Sequence, residues 1–230
     1  MRITWLGQAG LLFETGGLKI VVDPYLSDSV AKLQPQNRRR VPVDEKYLRI
    51  KPDVAVITHN HADHLDRETL CRYFTPSSKT LALAPLSAWN ELRSFGGEGN
   101  NYVMFNDGTT WTEKGVSFRA VKAEHSDEYA VGVIISAENR NYYITGDTLY
   151  SEKVFDSLPE IPFYAVFLPI NGRGNNMNAE DAALFARRVK AEYAVPVHFG
   201  MFDDIRAEAF KAANMTAPVL YSEIRFGKKF

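Results

Sequence analysis

Cysteine is almost missing from this chain of 230 residues: Cys71 stands alone, so no intrachain disulfide can form and no thiolate-rich zinc knuckle can be built. Cys71 falls in a stretch from Arg67 to Phe74 with the spacing of an amphipathic helix, where a free thiol is expected to pack as a small buried hydrophobe. An excess of charge of either sign is missing too. Lys and Arg total 27 against 28 Asp and Glu, a formal net charge of -1, whereas bulk nucleic-acid binders carry a basic excess. No run approaches the about 20 apolar residues that a membrane span needs, and the first residues enter a strand pattern at once, with no charged and then apolar leader. These absences set the expectation of a soluble, cytoplasmic protein with no membrane or nucleic-acid partner. Repeats, low-complexity tracts and an evident linker are also lacking, and 45% hydrophobic residues over this length suffice for a single domain spanning 1–230.

Histidine is scarce as well, but its placement is informative. Of the five in the chain, three fall in the run Thr58-His59-Asn60-His61-Ala62-Asp63-His64-Leu65-Asp66, directly after the apolar segment Val54 to Ile57. Imidazoles and a carboxylate packed this densely are metal-ligand chemistry. Were the run extended, His59, His61 and Asp63 would share a face while His64 points elsewhere, so that one loop could serve two adjacent cations. Asp66 reads as the N-cap of the helix that follows. His125 follows the strand-like run Val116 to Glu124, His198 follows Tyr193 to Val197, and Asp147 follows Tyr142 to Gly146. Each candidate ligand therefore sits just beyond a strand, where a sheet edge can bring several of them to one spot.

The remaining pattern supplies the scaffold. Short strands over 1–5, 11–14 and 18–22, joined by the Thr15-Gly16-Gly17 turn, open the chain, and Asp23-Pro24 ends the third. Residues 25–43 show little periodicity and carry the run Arg38-Arg39-Arg40, one of which could meet an anionic substrate. Further strands are expected over 80–84, 101–105, 116–124, 130–136, 141–145, 164–168 and 193–197, and helices over 85–95, 151–157, 178–190 and 204–214, with a last short strand closing the chain. Trp89 and Trp111 read as packing residues. Strands in runs that then alternate with helices, in both halves, predict an α+β protein of two sheets packed face to face with helices outside. The loop Leu168-Pro169-Ile170-Asn171-Gly172-Arg173-Gly174 follows a strand and offers an amide and a guanidinium, which makes Asn171 and Arg173 candidate substrate-binding residues.

His59, His61, Asp63 and His64 spell H-x-H-x-D-H, and with His125, Gly146-Asp147-Thr148 and His198 in order the chain resembles the metallo-β-lactamase superfamily. The resemblance implies an αββα four-layer sandwich of two mixed sheets and a binuclear metal-dependent hydrolase. It assigns His59, His61 and His125 to one ion and Asp63, His64 and His198 to a second, with Asp147 between them, and it gives Asp63 a catalytic part as proton acceptor. It also makes Asp23 a residue that fixes the metal loop from behind. The cofactors implied are two divalent ions, manganese or zinc, with iron compatible; a shared water is made acidic enough to attack a carbonyl or phosphorus. The segments Trp5 to Gly10, Val22 to Asp28 and Leu168 to Gly174 resemble the UlaG-like branch, which includes L-ascorbate-6-phosphate lactonase and implies a small, anionic lactone or phosphoester as substrate. Asn60 stands where an acidic residue is common in that branch, and this chain is shorter than the lactonase. Three rival readings are a nuclease of the same fold, which the charge balance disfavours, a di-iron redox protein, whose relatives carry Glu where His61 stands, and a binding protein that has lost catalysis, which the complete ligand set disfavours. Assembly into a homo-oligomer stays open.

Overall fold

The computed structural model describes residues 1–227 and contains two six-stranded sheets whose strands follow chain order. The first runs β1 (Arg2–Gly7), β2 (Gly10–Thr15), β3 (Leu18–Val22), β4 (Val54–Val56), β5 (Leu81–Ala84), β6 (Asn101–Met104). β1 to β3 form an antiparallel meander, and β3 to β6 pair in parallel. The second holds β7 (Thr110–Glu113), β8 (Val116–Lys122), β9 (Val131–Ala137), β10 (Arg140–Ile144), β11 (Ala165–Pro169) and β12 (Tyr193–Val197). There β7 to β10 are antiparallel and β10 to β12 parallel. Helices cross between the parallel strands: α1 (Ser29–Leu33) before β4, α2 (Arg67–Tyr73) before β5, α3 (Leu86–Phe95) before β6, α4 (Glu152–Ser157) before β11 and α5 (Ala179–Arg188) before β12.

Two-residue periodicity decides which side chains meet. On β4 and β5, Val54, Val56, Leu81 and Leu83 join the core between the sheets, while Ala55, Ala82 and Ala84 face the other way onto Leu70, Tyr73 and Leu92 of α2 and α3. Both faces are covered, so these strands read as unbroken apolar runs, as parallel strands do. On the second sheet Phe167 reaches Phe13 across the core at 5.8 Å, and Phe185 of α5 packs behind Tyr143. The layers are helix, sheet, sheet, helix: the αββα sandwich.

Several expectations need correcting. The metal loop is a turn, not an extended segment, because the His64 and Leu65 N–H groups both donate to the His61 carbonyl, at 2.9 and 2.8 Å. Cys71 is exposed, since α2 buries Thr69, Leu70 and Tyr73 and position 71 is rotated off that face. No helix spans 204–214: a single 3-10 turn covers Ala207–Ala209, and the backbone at Asn214 and Thr216 bonds Ala194 on the open edge of β12. The closing strand reduces to one bridge, Thr4 with Glu223, on the edge of β1. Residues 25–43 include α1 and a 3-10 turn at Pro35–Asn37, and β7, around Trp111, was not foreseen. Trp89 and Trp111 do pack against the cores.

Candidate metal centre

Chain segments leaving β3, β4, β8, β10, β11 and β12 gather at one end of the sandwich, where parallel strands present their carboxyl ends, the usual place for a ligand in such sheets. They bring together three overlapping groups whose ligand atoms lie within 4.8 Å of one another: His59, His61 and His125; His59, His64 and Asp147; Asp63, His64 and His198. The His59 and His64 rings are 4.0 Å apart, and His61 and His125 are 4.8 Å apart. Asp147 reaches both ways, with Oδ1 at 3.3 Å from His64 Nε2 and Oδ2 at 3.2 Å from His198 Nε2, while Asp63 Oδ2 lies 3.2 Å from His198 Nε2.

The ring orientations follow from what stands behind them. Asp23 is fully buried and accepts the Thr58 N–H at 2.8 Å, the Thr58 hydroxyl at 2.6 Å and His64 Nδ1–H at 2.8 Å. Because the Thr58 hydroxyl is spent on Asp23, its oxygen accepts from His59 Nδ1 at 3.0 Å. One carboxylate thus sets two tautomers, and both rings turn Nε2 inward. His125 is held likewise, Nδ1 donating to the Asn175 carbonyl at 3.2 Å. His59 Nε2 is buried without a hydrogen-bond partner, and His64 Nε2 and Asp147 Oδ1 are buried with no group but each other in reach, which is expensive unless a cation satisfies them. The residues present therefore fit a metal: the donor set is nitrogen and oxygen, oriented and unsatisfied.

The electrostatics divide the cluster. Burial, reinforced by His64 close by, holds His59 well below the ordinary histidine value. Burial alone would push His64 and His198 down too, but Asp147 and its neighbours outweigh it and raise both, His198 to about 10. Burial works against ionisation of Asp63 and Asp147, and the adjacent imidazoles prevail, holding both carboxyls below the usual range.

The Beta-lactamase superfamily domain model matches residues 19–199. The chain belongs to this superfamily. A metal-dependent hydrolase of the UPF0173 group from Thermoplasma acidophilum is 30% identical, over 92% of this chain and 90% of its own. A second of that group, from Methanopyrus kandleri, is 28% identical over 90% of this chain and 88% of its own. Among solved structures, Igni18, a metallo hydrolase from the archaeon Ignicoccus hospitalis, superposes with a TM-score of 0.78 at 21% identity and covers 99% of both chains. The fold is the metallo-β-lactamase fold, and the protein is a metal-dependent hydrolase.

This superfamily member adds neutral residues to the centre that sequence reasoning missed. Gln8, buried, donates Nε2 to Asp63 Oδ2 at 2.8 Å, and its carbonyl accepts the His198 N–H at 2.9 Å. Asn176 donates Nδ2 to Asp147 Oδ2 at 2.7 Å. Asn171 and Arg173 line the cleft over the centre, a cavity of about 660 Å³. The arginine run does not: Arg39 bonds the Tyr25 and Val41 carbonyls, and Arg38 and Arg40 pair with Asp28 and Asp204.

Proposed function

We propose that this hydrolase works with two divalent cations and cleaves a small anionic substrate, a lactone or a phosphoester. The surplus of converging donors supports the reading most: His59, His61, Asp63, His64, His125, Asp147 and His198 offer more ligand atoms than one four-coordinate ion uses. His59, His61 and His125 would hold one ion, and Asp63, His64 and His198 the other, with Asp147 reaching both. Zinc, manganese and iron all suit imidazole and carboxylate without thiolate. When bound, such a pair acidifies a water molecule and stabilises negative charge on the attacked oxygen.

The chain's own residues set the rest. Asp23 fixes the Nδ1 proton of His64 and, through Thr58, that of His59, so that Nε2 of each ring faces inward. Asp63, ionised between His64 and His198, is oriented through Oδ2 by Gln8 and His198 and would bring its carboxylate charge to an ion. Arg173 is exposed at the cleft, has no ion pair among the described residues and suits a carboxylate or phosphate; Asn171 stands beside it. A cleft of about 660 Å³ admits a small molecule such as a sugar-acid phosphate lactone. Metal-reconstituted protein screened against panels of lactones and phosphodiesters tests the reading. His61→Ala and Asp147→Asn are each expected to abolish turnover with the far-UV circular dichroism unchanged. Retained turnover in either variant, or no transition metal by elemental analysis after loading, overturns it.

A further inference from the structure

The cleft is not uniformly polar. Its Arg173, Asn171 and Asn175 come from the loop after β11, whereas Val30, Leu33, Ala62 and Phe202 come from α1, the metal loop and the segment after β12, with Gln34 and Asn37 following Leu33 at the rim. The second group is no scatter of surface residues. Val30 belongs to a small apolar cluster with Tyr25 and Met201, separate from both main cores, and Ala62 and Phe202 pack against it. The Phe202 ring meets Tyr25 edge to face at 5.6 Å, which fixes that wall. Leu33 lies three residues after Val30, on the same face of α1, and is 73% exposed, the most exposed large hydrophobic among the described residues. An isolated exposed leucine needs no explanation, but this one extends a built apolar wall out to the mouth of the cleft.

We infer that the substrate is an amphiphilic anion: its charged end lies by Arg173, and an unbranched apolar substituent runs along Val30, Phe202 and Leu33. The metal centre opens into the same cavity, which His61, Asp63, Asp147 and His198 also line. The inference rests on the hydrolytic reading only for where the reacting bond sits. Chemically it narrows the substrate from any small anion to one carrying an alkyl or acyl group, since a polyol phosphate would leave the apolar wall wet. Charge complementarity supports the anionic end, because Arg173 is unpaired by any described carboxylate; Asp203, the acidic group lining the cleft outside the metal cluster, is anchored through Oδ1 by the N–H groups of Gly200 and Ile205 at 2.9 Å each and does not pair with it.

Binding separates this from catalysis. Methyl, butyl, hexyl and octyl phosphate, each below its micelle concentration, are titrated calorimetrically into manganese-loaded and chelator-stripped protein. Affinity is expected to rise about two- to fourfold per methylene along the series, the gain for partial to full burial of a CH₂. Leu33→Ser, an exposed change that does not threaten folding, should cost octyl phosphate about tenfold and methyl phosphate less than about twofold, and Leu33→Phe should restore the slope. Arg173→Ala should weaken every member by about tenfold and leave the slope intact. A flat series, or a slope that survives Leu33→Ser unchanged, overturns the inference. If manganese titrated alone binds at two equivalents and the series is flat, the apolar subsite falls and the two-ion reading stands. If the slope and its loss in Leu33→Ser persist while manganese binds at fewer than two equivalents, the subsite stands and the two-ion reading falls.

Discussion

Replacing Asp23 by asparagine exchanges one buried oxygen for an NH₂ group and leaves shape and volume nearly unchanged. The carboxylate accepts from three donors, two of them on Oδ2: the Thr58 hydroxyl at 2.6 Å and His64 Nδ1 at 2.8 Å. With the amide nitrogen at that place, His64 Nδ1 must become an acceptor, so the ring proton moves to Nε2 and removes the lone pair a cation needs. The Thr58 hydroxyl is released as well and can donate to His59 Nδ1, now 3.0 Å away, which disturbs the second ring in the same sense. The opposite amide orientation sets NH₂ against the Thr58 N–H, two donors face to face in a fully buried place. Either way the unmatched group costs about 1–3 kcal/mol in stability, and the lost tautomer control costs about 10- to 100-fold in metal affinity. Calorimetric titration of chelator-stripped Asp23→Asn with manganese or zinc measures this, with thermal unfolding as the stability control. Binding within twofold of the parent protein would show that ring orientation does not run through Asp23.

Three further outcomes are expected. In the metal-free protein His64 and His198 hold protons at neutral pH because neighbouring carboxylates prevail over burial, so metal binding at pH 7 should release protons, seen as a binding enthalpy that varies with the buffer's ionisation enthalpy. A histidine whose folded value is raised contributes stability fully below its unfolded value of about 6.5 and loses it as pH climbs through the folded value, about 10 for His198; the metal-free protein should therefore melt progressively lower between pH 6.5 and 10, and a flat or rising melting curve would contradict the assignment. Gly146 has φ +62°, and a Cβ there would meet the Val131 carbonyl at 2.8 Å and Thr58 Cβ at 3.0 Å, so Gly146→Ala should lower the melting temperature by about 4–8 °C, or about 2 kcal/mol, and displace Asp147.

What could be read from residues alone depended on rarity. Histidine and aspartate directly after strand-like runs are uncommon, so His59 to His64, His125, Asp147 and His198 stood out, and the structure brings them within reach of one another. The sheets were legible for the same kind of reason: β4, β5 and β11 are apolar runs bounded by turn residues. Gln8 and Asn176 were not, because glutamine and asparagine are ordinary surface residues and it is loop conformation that buries these two; Asn175 acts through its backbone carbonyl, which no side-chain pattern signals. The Trp5 to Gly10 segment was marked by resemblance, yet nothing in it singles out Gln8 until its carbonyl is seen to hold His198. Residues 204–214 read as a helix because local composition permits one; the structure keeps only the turn at Ala207–Ala209, and the Asn214 carbonyl at the segment's end is taken by Ala194 of β12. Cys71 was misplaced by a single position around a helix of seven residues, too short for periodicity to fix its buried face.

Three of the ten non-glycine residues with left-handed backbone among the described residues stand at the metal centre. Gln8, Asp23 and His198 adopt φ of 49°, 44° and 56°, a left-handed conformation that costs an ordinary L residue about 1–2 kcal/mol. Each lies at or just past the end of a strand of the sandwich, β1, β3 and β12, and each is tied down by backbone bonds that cross between segments: the His198 N–H to the Gln8 carbonyl at 2.9 Å, and the Asp23 N–H to the Val56 carbonyl at 3.0 Å. A smooth continuation of those strands would carry the side chains past the cleft. The left-handed kink is what turns Gln8 and His198 toward Asp63, and Asp23 toward His64. Packing of the two sheets supplies the stability against which the strain at these three positions is held, and at each of them the deviation from ideal geometry serves the metal centre.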